Sequence, residues 1–404
     1  MTPKRFMLIA GEASGDMLAA ELVGELRAGM MRHYTYSANA QPLDADLAPR
    51  FFGAGGPRMA EAGVDLAFDL TQHSVVGLSG PIKHFLRLKR IFDQLVALAV
   101  EREPHVIIGV DFSEFNTRFA AAIKRHVIAR RGTFNNWEPK IVRYVSPQAW
   151  ASREGRVYQM QENLDLLLSI IPFEKAWYAA RVPKLRVEFV GYPMFDRHLN
   201  TKIAARDAEY VPTVVLLPGS RKSELQRHFP VMLEAFGKIR DAMPSVRAIA
   251  ILPNETLAGM ARAQLASSPG TANSALRIQV GGLSEVLIQA TVAIASTGTV
   301  TMECAYFGVP TVTLYKASWW EYEIVRRLIK VKWLTMANIL ANDPVFPEFI
   351  QHAASPENLS RAALEFLRDE SCRENVKARL KEIIAPFGGR RASRNAAEAI
   401  LKLL

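Results

Sequence analysis

Short apolar runs rich in β-branched residues alternate along the chain with longer amphipathic stretches, a pattern typical of strands and helices in a parallel sheet. In the first half, strands are predicted at Phe6–Ala10, Arg50–Gly53, His105–Val110, Ile141–Val145, Asp165–Ile170 and Arg186–Val190. The pattern then restarts, and further strands are predicted at Thr213–Leu217, Val246–Ile251, Leu276–Val280, Thr291–Ala295 and Thr311–Tyr315. The alternation therefore predicts an α/β fold with two doubly wound parallel sheets.

A polar stretch, Asp196–Val211, marks the predicted domain boundary. It divides the 404 residues into an N-terminal domain of residues 1–195 and a C-terminal domain that begins at residue 211, each large enough to bury its own core. In doubly wound sheets, ligands bind beyond the carboxyl ends of the strands. We therefore expect the binding site in a cleft between the two domains.

Composition excludes several classes of protein. Two cysteines, Cys304 and Cys372, are too few for a disulfide framework, and no spacing of Cys and His resembles a zinc site. The apolar run Phe6–Ala10 is too short for a signal peptide, and no window is long and apolar enough to span a bilayer. We therefore expect a cytoplasmic protein whose membrane contact is peripheral.

The net charge of +10, from 50 basic and 40 acidic residues, suits an anionic partner. Nucleic acid, a phospholipid surface and a phosphorylated small molecule all meet that description. Nucleic acid is the least supported of the three, because no helix-turn-helix or base-stacking module accompanies the basic residues.

A loop with two glycines and a serine, Gly11–Asp16, follows the first predicted strand. Such a loop lets backbone N–H groups approach a phosphate or sugar closely, which makes Ser14 and Gly15 candidate ligand contacts. It matches neither the G-x-G-x-x-G pattern nor a P-loop. The alternative is a tight turn in which Ser14 or Asp16 caps the next helix.

Polar residues also follow two later strands. Asp111 is the first polar residue after an apolar run, where partial withdrawal from water suits a carboxylate to general-base catalysis. The alternative is a helix N-cap. Another strand leads into Tyr144–Trp150, followed by Arg153 and Arg156, which either form a cationic wall for a phosphate or lie exposed on a helix.

Two loops of the second half fit one nucleotide. In Leu216–Glu224, a glycine turn, Ser220 and Arg221 precede a helix, so N–H groups and a guanidinium are available to a diphosphate. In the second loop, Glu303 lies one turn inside a helix and is suited to accept both hydroxyls of a ribose; the alternative is a solvated helix glutamate. The small residues that precede it are Ser296, Thr297, Gly298 and Thr299. A diphosphate cradle and a ribose acceptor in the same half are more specific than either loop alone.

Taken together, these motifs resemble those of the lipid-A-disaccharide synthases, inverting glycosyltransferases of the GT-B type with two Rossmann-like domains facing a central cleft. The matching segments run along most of the chain: Gly11–Asp16, Phe52–Met59, Gly109–Asn116, Tyr144–Val157, Pro172–Tyr178, Phe189–Asp196, Leu216–Glu224, Ser296–Tyr315, Asn338–Leu340 and Pro347–Gln351. The resemblance implies transfer of 2,3-diacylglucosamine from its UDP derivative to 2,3-diacylglucosamine 1-phosphate, which gives the β-1,6-linked disaccharide and UDP.

The resemblance also assigns roles. It makes Asp111 the general base, and Glu303 the ribose contact. Further UDP- or substrate-binding candidates are Ser14, Gly15, Ser220, Arg221, Ser296, Thr297, Gly298, Thr299, Asn338, Glu348 and Gln351. Candidates on the acceptor side are Asn116, Ser146 and Arg153. No metal or cofactor is implied.

Association with the anionic inner-membrane surface and a homodimer are further implications. The resemblance limits the C-terminal domain to residues 211–369, with helices of about 370–404 packing on the first domain or on a partner subunit. The chain departs from the usual family pattern at acceptor-side and interdomain positions, namely Val76, Gly80, Ser152, Tyr192 and Ala337.

Other functions remain open from the residues. One is a different UDP-sugar enzyme of the same fold, either a UDP-N-acetylglucosamine 2-epimerase or the peptidoglycan N-acetylglucosaminyltransferase. That alternative leaves the combination of Gly11–Asp16 with Tyr144–Trp150 unexplained. The second alternative is a sugar-binding protein without catalytic activity, or a paralogue that has lost that activity. The presence of Asp111 argues against the loss of activity.

Two basic segments are candidates for membrane contact, each built around a stretch without acidic residues, between Asp69 and Asp93 in the first and between Glu323 and Asp343 in the second. On a helix from about residue 81, Lys83, Arg87 and Arg90 share one face, and the opposite face carries Phe85, Leu88, Phe92 and Leu95. The second segment contains Trp319, Trp320, Arg326, Arg327, Lys330, Lys332 and Trp333. Cations beside interfacial tryptophans suit an anionic lipid surface. The alternative for each is an ordinary helix that packs its apolar side on the core.

Overall fold

The computed structural model describes residues 3–37, 48–71, 81–198, 211–267, 275–389 and 391–404. The chain divides into two compact units. The first comprises Met1–Asp196 and Gly389–Leu404, and the second comprises Arg197–Gly388.

The described strands of the first unit form one parallel sheet in the order β3-β2-β1-β4-β5-β6-β7. The strands are β1 (Arg5–Ala10), β2 (Arg50–Gly55), β3 (Asp65–Asp69), β4 (Val106–Val110), β5 (Lys140–Tyr144), β6 (Leu166–Ser169) and β7 (Val187–Phe189). The helices are α1 (Ala13–Ser37), α2 (Pro57–Glu61), α3 (Pro81–Arg102), α4 (Ser113–Arg130), α5 (Arg156–Asn163), α6 (Glu174–Ala179), α7 (Pro193–Asp196) and, from the end of the chain, α16 (Ala392–Leu401).

The core of this unit lies on both faces of the sheet. In β1, Phe6 and Leu8 belong to the cluster that contains residues of α1 and α16, whereas Met7 and Ile9 belong to the cluster of α3 and α4. A strand covered on both faces must be apolar at every position, which explains why β1 reads as a continuous apolar run.

The second unit also has a parallel sheet, with the described strands in the order β10-β9-β8-β11-β12-β13. The strands are β8 (Thr213–Leu217), β9 (Arg247–Leu252), β10 (Leu276–Val280), β11 (Val292–Ser296), β12 (Thr311–Tyr315) and β13 (Glu348–Ile350). The helices are α8 (Lys222–Ala242), α9 (Glu255–Ser267), α10 (Leu283–Gln289), α11 (Val300–Tyr306), α12 (Trp319–Leu328), α13 (Met336–Ala341), α14 (Pro356–Arg368) and α15 (Glu370–Ile384), with 3₁₀ turns at Gln351–Ala353 and Ala385–Phe387.

The C-terminal segment, treated above as one block of residues 370–404, is divided between the units. Helix α15 contacts α11, α13 and α14 of the second unit, whereas α16 packs on α1 of the first. The carboxylate of Asp196 accepts hydrogen bonds from the N–H groups of Ala392 and Ser393 at 2.9 and 3.1 Å, which caps the start of α16. Asn395 donates to the carbonyl of Val190 at 2.8 Å.

The α/β prediction with two parallel sheets is confirmed, and each predicted strand is present with bounds that differ by at most two residues. The sequence analysis did not identify β3 and β13. Both lie at sheet edges, where one neighbour strand suffices and the apolar run is shorter. Among the described residues, none of the helices is both long and apolar enough to cross a membrane.

Candidate active site

Strained backbone marks the carboxyl ends of the two central strands of the first unit. Asp111 and Phe112 follow β4 with φ of 49° and 46°, and Val145 follows β5 with φ of 64°. A left-handed conformation costs a non-glycine residue about 1–3 kcal/mol, and such strain collects at functional sites. The N–H of Asp111 donates to the carbonyl of Tyr144 at 2.9 Å, so the sheet itself holds this corner.

The carboxylate of Asp111 is half-buried, and no described residue donates a hydrogen bond to it. Phe112 holds the N-cap position of α4, without a side-chain cap. The N-cap alternative for Asp111 is therefore not what the structure shows.

The glycine loop lies directly against this corner. A Cβ atom at Gly11 would lie 2.3 Å from Cγ of Phe112, and one at Gly15 would lie 3.5 Å from Cβ of Asp111. Glycine at these positions lets the loop approach so closely. Ser14 is exposed beside it on the first turn of α1.

Asp16, the other residue considered as a helix cap, caps a different helix. Its carboxylate accepts from the N–H groups of Gly56, Arg58 and Met59 at 2.8, 3.0 and 3.0 Å. These groups belong to the start of α2, where N–H donors lack partners within the helix. Asp16 thus ties the second glycine-rich loop to the first.

Asn116 was predicted on the acceptor side, and the structure uses its amide differently. The side chain is buried, and Nδ2 donates to the carbonyl of Asp111 at 2.9 Å. A Cβ at Gly109 would lie 2.8 Å from Cγ of Asn116, so the amide packs flat on the strand. Asn116 therefore holds the backbone of Asp111 in place.

Ser146, also predicted on the acceptor side, belongs to a buried network around Glu174. Its hydroxyl donates to Oε2 of Glu174, as does that of Ser169 at 2.6 Å, and Trp150 Nε1 donates to Oε1 at 2.8 Å. Burial raises the pKa of Glu174, while these hydrogen bonds lower it. Glu174 thus fixes the loop after β5. Glu174 was assigned no role from the sequence, although it lies in the matching segment Pro172–Tyr178.

Arg143 is a buried cation beside the same corner. It is 3% exposed, and it donates to the carbonyl of Ser113 at 3.1 Å and to its hydroxyl at 2.8 Å. Burial lowers the pKa of Arg143 to about 10, and the charge of Asp111 acts in the opposite direction. The guanidinium is therefore protonated at neutral pH. In the sequence, Arg143 is recognisable as an arginine within the otherwise apolar predicted strand Ile141–Val145.

The first candidate loop of the second unit is closed by Glu224. Its Oε2 accepts from the N–H groups of Ser220 and Arg221 at 2.9 and 3.3 Å. These two N–H groups, predicted to face a diphosphate, are thus used within the loop. Gly219 has φ of 118°, and a Cβ there would lie 2.3 Å from Oε2 of Glu224. The guanidinium of Arg221 is 72% exposed and remains accessible to a ligand.

The second candidate loop joins β11 to α11. Ser296 is buried at the end of the strand, whereas Gly298 and Thr299 are exposed, and a Cβ at Gly298 would meet open space. Thr297 donates its N–H to the carbonyl of Leu314 at 3.1 Å, so the loop continues the sheet.

Glu303 is not a solvated helix residue. Its side chain is 16% exposed, and Oε1 lies 3.3 Å from Nε2 of His198. The other ring nitrogen of His198 lies 3.1 Å from the hydroxyl of Ser284. Oε2 of Glu303 has no hydrogen-bond partner among the described residues. His198 lies in the boundary stretch that the sequence analysis treated as polar linker.

Glu348, predicted to bind substrate, lies against the start of α13. Its carboxylate accepts from the N–H groups of Leu334 and Thr335 at 2.8 and 2.9 Å, and from the Thr335 hydroxyl at 2.7 Å. Asn338 Nδ2 donates to the same carboxylate at 2.9 Å. A carboxylate with four donors has little capacity for a further one.

Asn338 and Gln351 are likewise engaged within the protein. Asn338 is fully buried and exchanges two hydrogen bonds of 2.8 Å with the backbone of Phe346. Gln351 exchanges two with the backbone of Ala317, at 3.1 and 3.3 Å. These residues shape the loops after β12 and β13.

The departures from the family pattern have different settings. Val76 and Gly80 lie outside the described residues. Tyr192 is buried, with its ring centroid 4.9 Å from that of Phe195, and Ala337 is buried on α13. Ser152 is half-buried in the loop that leads to Arg153.

Comparison with solved structures identifies the fold. MnaA of S. aureus, solved with UDP, aligns with a TM-score of 0.63 at 12% identity, covering 99% of this chain and 98% of that one. MurG of Acinetobacter baumannii aligns with a TM-score of 0.57 at 13% identity, covering 99% and 100%. The GT-B prediction is confirmed.

Comparison of sequences identifies the family. The family model for lipid-A-disaccharide synthetase matches residues 6–403. A lipid-A-disaccharide synthase of Geobacter sulfurreducens is 33% identical over 412 residues, which cover 100% of this chain and 98% of that protein. The resemblance seen in the loops thus extends over the whole chain, which belongs to the lipid-A-disaccharide synthetase family of glycosyltransferases.

Proposed function

We propose that this enzyme transfers 2,3-diacylglucosamine from UDP-2,3-diacylglucosamine to the 6-hydroxyl of 2,3-diacylglucosamine 1-phosphate, with inversion at the anomeric carbon. The observation that carries the proposal is the carboxylate of Asp111, which receives no hydrogen bond from any described residue and is held on strained backbone at the end of a central strand. Family membership supplies the reaction class.

In the proposed reaction, Asp111 takes the proton of the acceptor 6-hydroxyl as that oxygen attacks the anomeric carbon from the face opposite UDP. The bond between the anomeric carbon and the diphosphate oxygen breaks, and its electron pair stays on the diphosphate. The product is the β-1,6-linked disaccharide 1-phosphate of lipid A biosynthesis, with UDP. Arg143 supplies a buried positive charge beside the base, and Asn116 fixes the backbone that carries it.

The nucleotide is assigned to the second unit. The exposed guanidinium of Arg221 and the N–H groups of Gly298 and Thr299 stabilise the charge on the departing diphosphate, each well-placed donor contributing about a few kcal/mol. Oε2 of Glu303 accepts from a ribose hydroxyl, while His198 holds Oε1. The chain's own cations serve the leaving group, so the proposal involves no metal or cofactor.

Helix α12 is proposed as the contact with the anionic inner-membrane surface at its cytoplasmic side. Trp320, Ile324 and Leu328 recur every four residues and are 72, 58 and 42% exposed, so an apolar face of the helix is open to solvent. Exposed cationic side chains, including those of Lys330 and Lys332, follow the end of this helix in the chain. Tryptophan beside cations suits the interface of an anionic bilayer.

The other basic segment, on α3, fits the ordinary-helix alternative better. Leu95 is fully buried, and the ring of Phe92 packs edge-on against Phe115 and Phe119 of the core. Leu88 also packs against this cluster. The side chains of Lys83 and Phe85 lie outside the part of the chain that the structure describes.

The test is direct. Purified protein is incubated with UDP-2,3-diacylglucosamine and 2,3-diacylglucosamine 1-phosphate, and mass spectrometry detects the disaccharide and UDP. Absence of product from a protein that still binds UDP would favour a non-catalytic paralogue. Conversion of the UDP-sugar without an acceptor would favour the epimerase.

A further inference from the structure

A groove of about 980 Å³ on the first unit is lined mainly by charged residues of α4 and α5. Its guanidinium groups come from Arg118, Arg125, Arg153 and Arg156, and its carboxylates from Glu114 and Glu162. Four cations against two carboxylates leave two positive charges in excess. A groove with such an excess attracts an anion.

The ion pairs show which arginines carry the excess charge. Glu114 bridges two of them, since one carboxylate oxygen lies 3.0 Å from Arg118 and the other 2.8 Å from Arg156. Neither Arg125 nor Arg153 has a carboxylate partner among the described residues. An anion in the groove would therefore meet two uncompensated guanidinium groups.

The fold fixes the backbone of Arg153 in the groove wall. Its φ is 54°, a left-handed conformation that an arginine adopts only where the surrounding structure demands it. Three residues earlier, Trp150 is tied to the buried Glu174. The next carboxylate along the chain, Glu154, pairs with Arg181 and so does not neutralise Arg153.

The chemistry of the groove suits a phosphate monoester on an amphiphilic ligand. A planar guanidinium group can donate two parallel N–H···O hydrogen bonds to the oxygens of one phosphate, in a fixed geometry. Phe92 and Ala121 add apolar surface, and the volume exceeds what a free phosphate ion fills. The first lining residue on α4, Glu114, follows the proposed base Asp111 by three positions in the chain.

We propose that this groove binds the 1-phosphate of the acceptor, with Arg125 and Arg153 as its specificity-determining contacts. The inference rests on the proposed function, because it concerns the acceptor of that reaction. It explains how the enzyme distinguishes the phosphorylated monosaccharide from the same sugar without phosphate.

The test compares acceptors with and without the phosphate. The double variant Arg125→Gln/Arg153→Gln is assayed with 2,3-diacylglucosamine 1-phosphate and with 2,3-diacylglucosamine. We expect kcat/KM to fall about 10–100-fold for the phosphorylated acceptor, since each charge-assisted hydrogen bond is strong, and to stay unchanged for the other. Arg130→Gln, an exposed position on α4 outside the groove, is the matched control and should change neither value.

Equal losses on both acceptors, or no loss on either, would overturn the proposal. A second arm separates it from the proposed function: titration of the wild-type and variant proteins with soluble glucosamine 1-phosphate, followed by ³¹P NMR. Weaker binding by the double variant supports the groove even where the wild type turns over neither acceptor. If the double variant instead loses only its binding to phosphatidylglycerol vesicles, the groove takes a lipid headgroup and the proposal is wrong.

Discussion

Replacing Asp111 by asparagine tests the proposed base with little disturbance of the fold. Asparagine tolerates left-handed backbone as well as aspartate does, which suits the φ of 49°. No described residue donates to the carboxylate, so the substitution breaks no protein hydrogen bond, and Asn116 still holds the backbone carbonyl. The charge of Asp111 partly compensates the buried Arg143, so we expect the free energy of unfolding to fall by about 1 kcal/mol or less.

The catalytic effect should be far larger. The amide keeps the shape of the side chain but does not accept the proton, and loss of a general base typically lowers turnover by about 10²–10⁴-fold. At 1.36 kcal/mol per factor of ten, this corresponds to about 3–5 kcal/mol of transition-state stabilisation. Because the substitution lies in the first unit, the affinity for UDP should be unchanged.

The assay measures disaccharide formation at saturating substrate concentrations by mass spectrometry. Two controls accompany it: calorimetry measures the affinity for UDP, and thermal unfolding measures the stability of the variant. Glu101→Gln, an exposed carboxylate on α3 outside the groove, is the control for the loss of one negative charge. Retention of more than a tenth of wild-type turnover by Asp111→Asn would refute the assignment. A matching fall for Glu101→Gln would show that charge, and not proton transfer, is responsible.

Three further predictions follow from the same structure. Arg221→Ala should weaken UDP binding measured by calorimetry, and Arg221→Lys should restore only part of it, since an ammonium does not reproduce the fork of a guanidinium; equal affinities would exclude a diphosphate contact. The double variant Lys330→Glu/Lys332→Glu should bind anionic vesicles at least about tenfold more weakly in co-sedimentation, because each charge contributes about 1 kcal/mol near the surface. The control reverses the charges of the exposed Arg247 and Arg277 of the same unit and should leave vesicle binding unchanged. Equal effects of the two double variants would argue against α12 as the docking helix. Burial raises the pKa of Glu174 from its ordinary value of 4.5, so the protonated carboxyl stabilises the folded state below pH 4.5, and this stabilisation is lost as pH rises through the raised pKa. Glu174→Gln should therefore flatten the dependence of Tm on pH above 4.5. An unchanged profile would show that the pKa of Glu174 does not differ between the folded and unfolded states.

The sequence by itself determined the architecture and the family. Strands such as β1, β4 and β8 are continuous apolar runs, because both faces of a parallel sheet are covered, and such runs can be read without a structure. The glycine-rich loops and Asp111 could also be located, because they directly follow these strands.

The tertiary structure alone decided what each polar side chain does. Asn116, Ser146, Asn338, Glu348 and Gln351 remain predicted ligand contacts, and the structure shows that each makes hydrogen bonds within the protein. Their partners include residues that are distant in sequence: Ser146 meets Glu174 after 28 residues, and Gln351 meets Ala317 over 34. The pairing of Glu303 with His198 spans 105 residues. A sequence motif shows which hydrogen-bond donors and acceptors a loop carries. Each polar group that becomes buried needs a hydrogen-bond partner, and only the packing of separate strands and helices determines which partner that is.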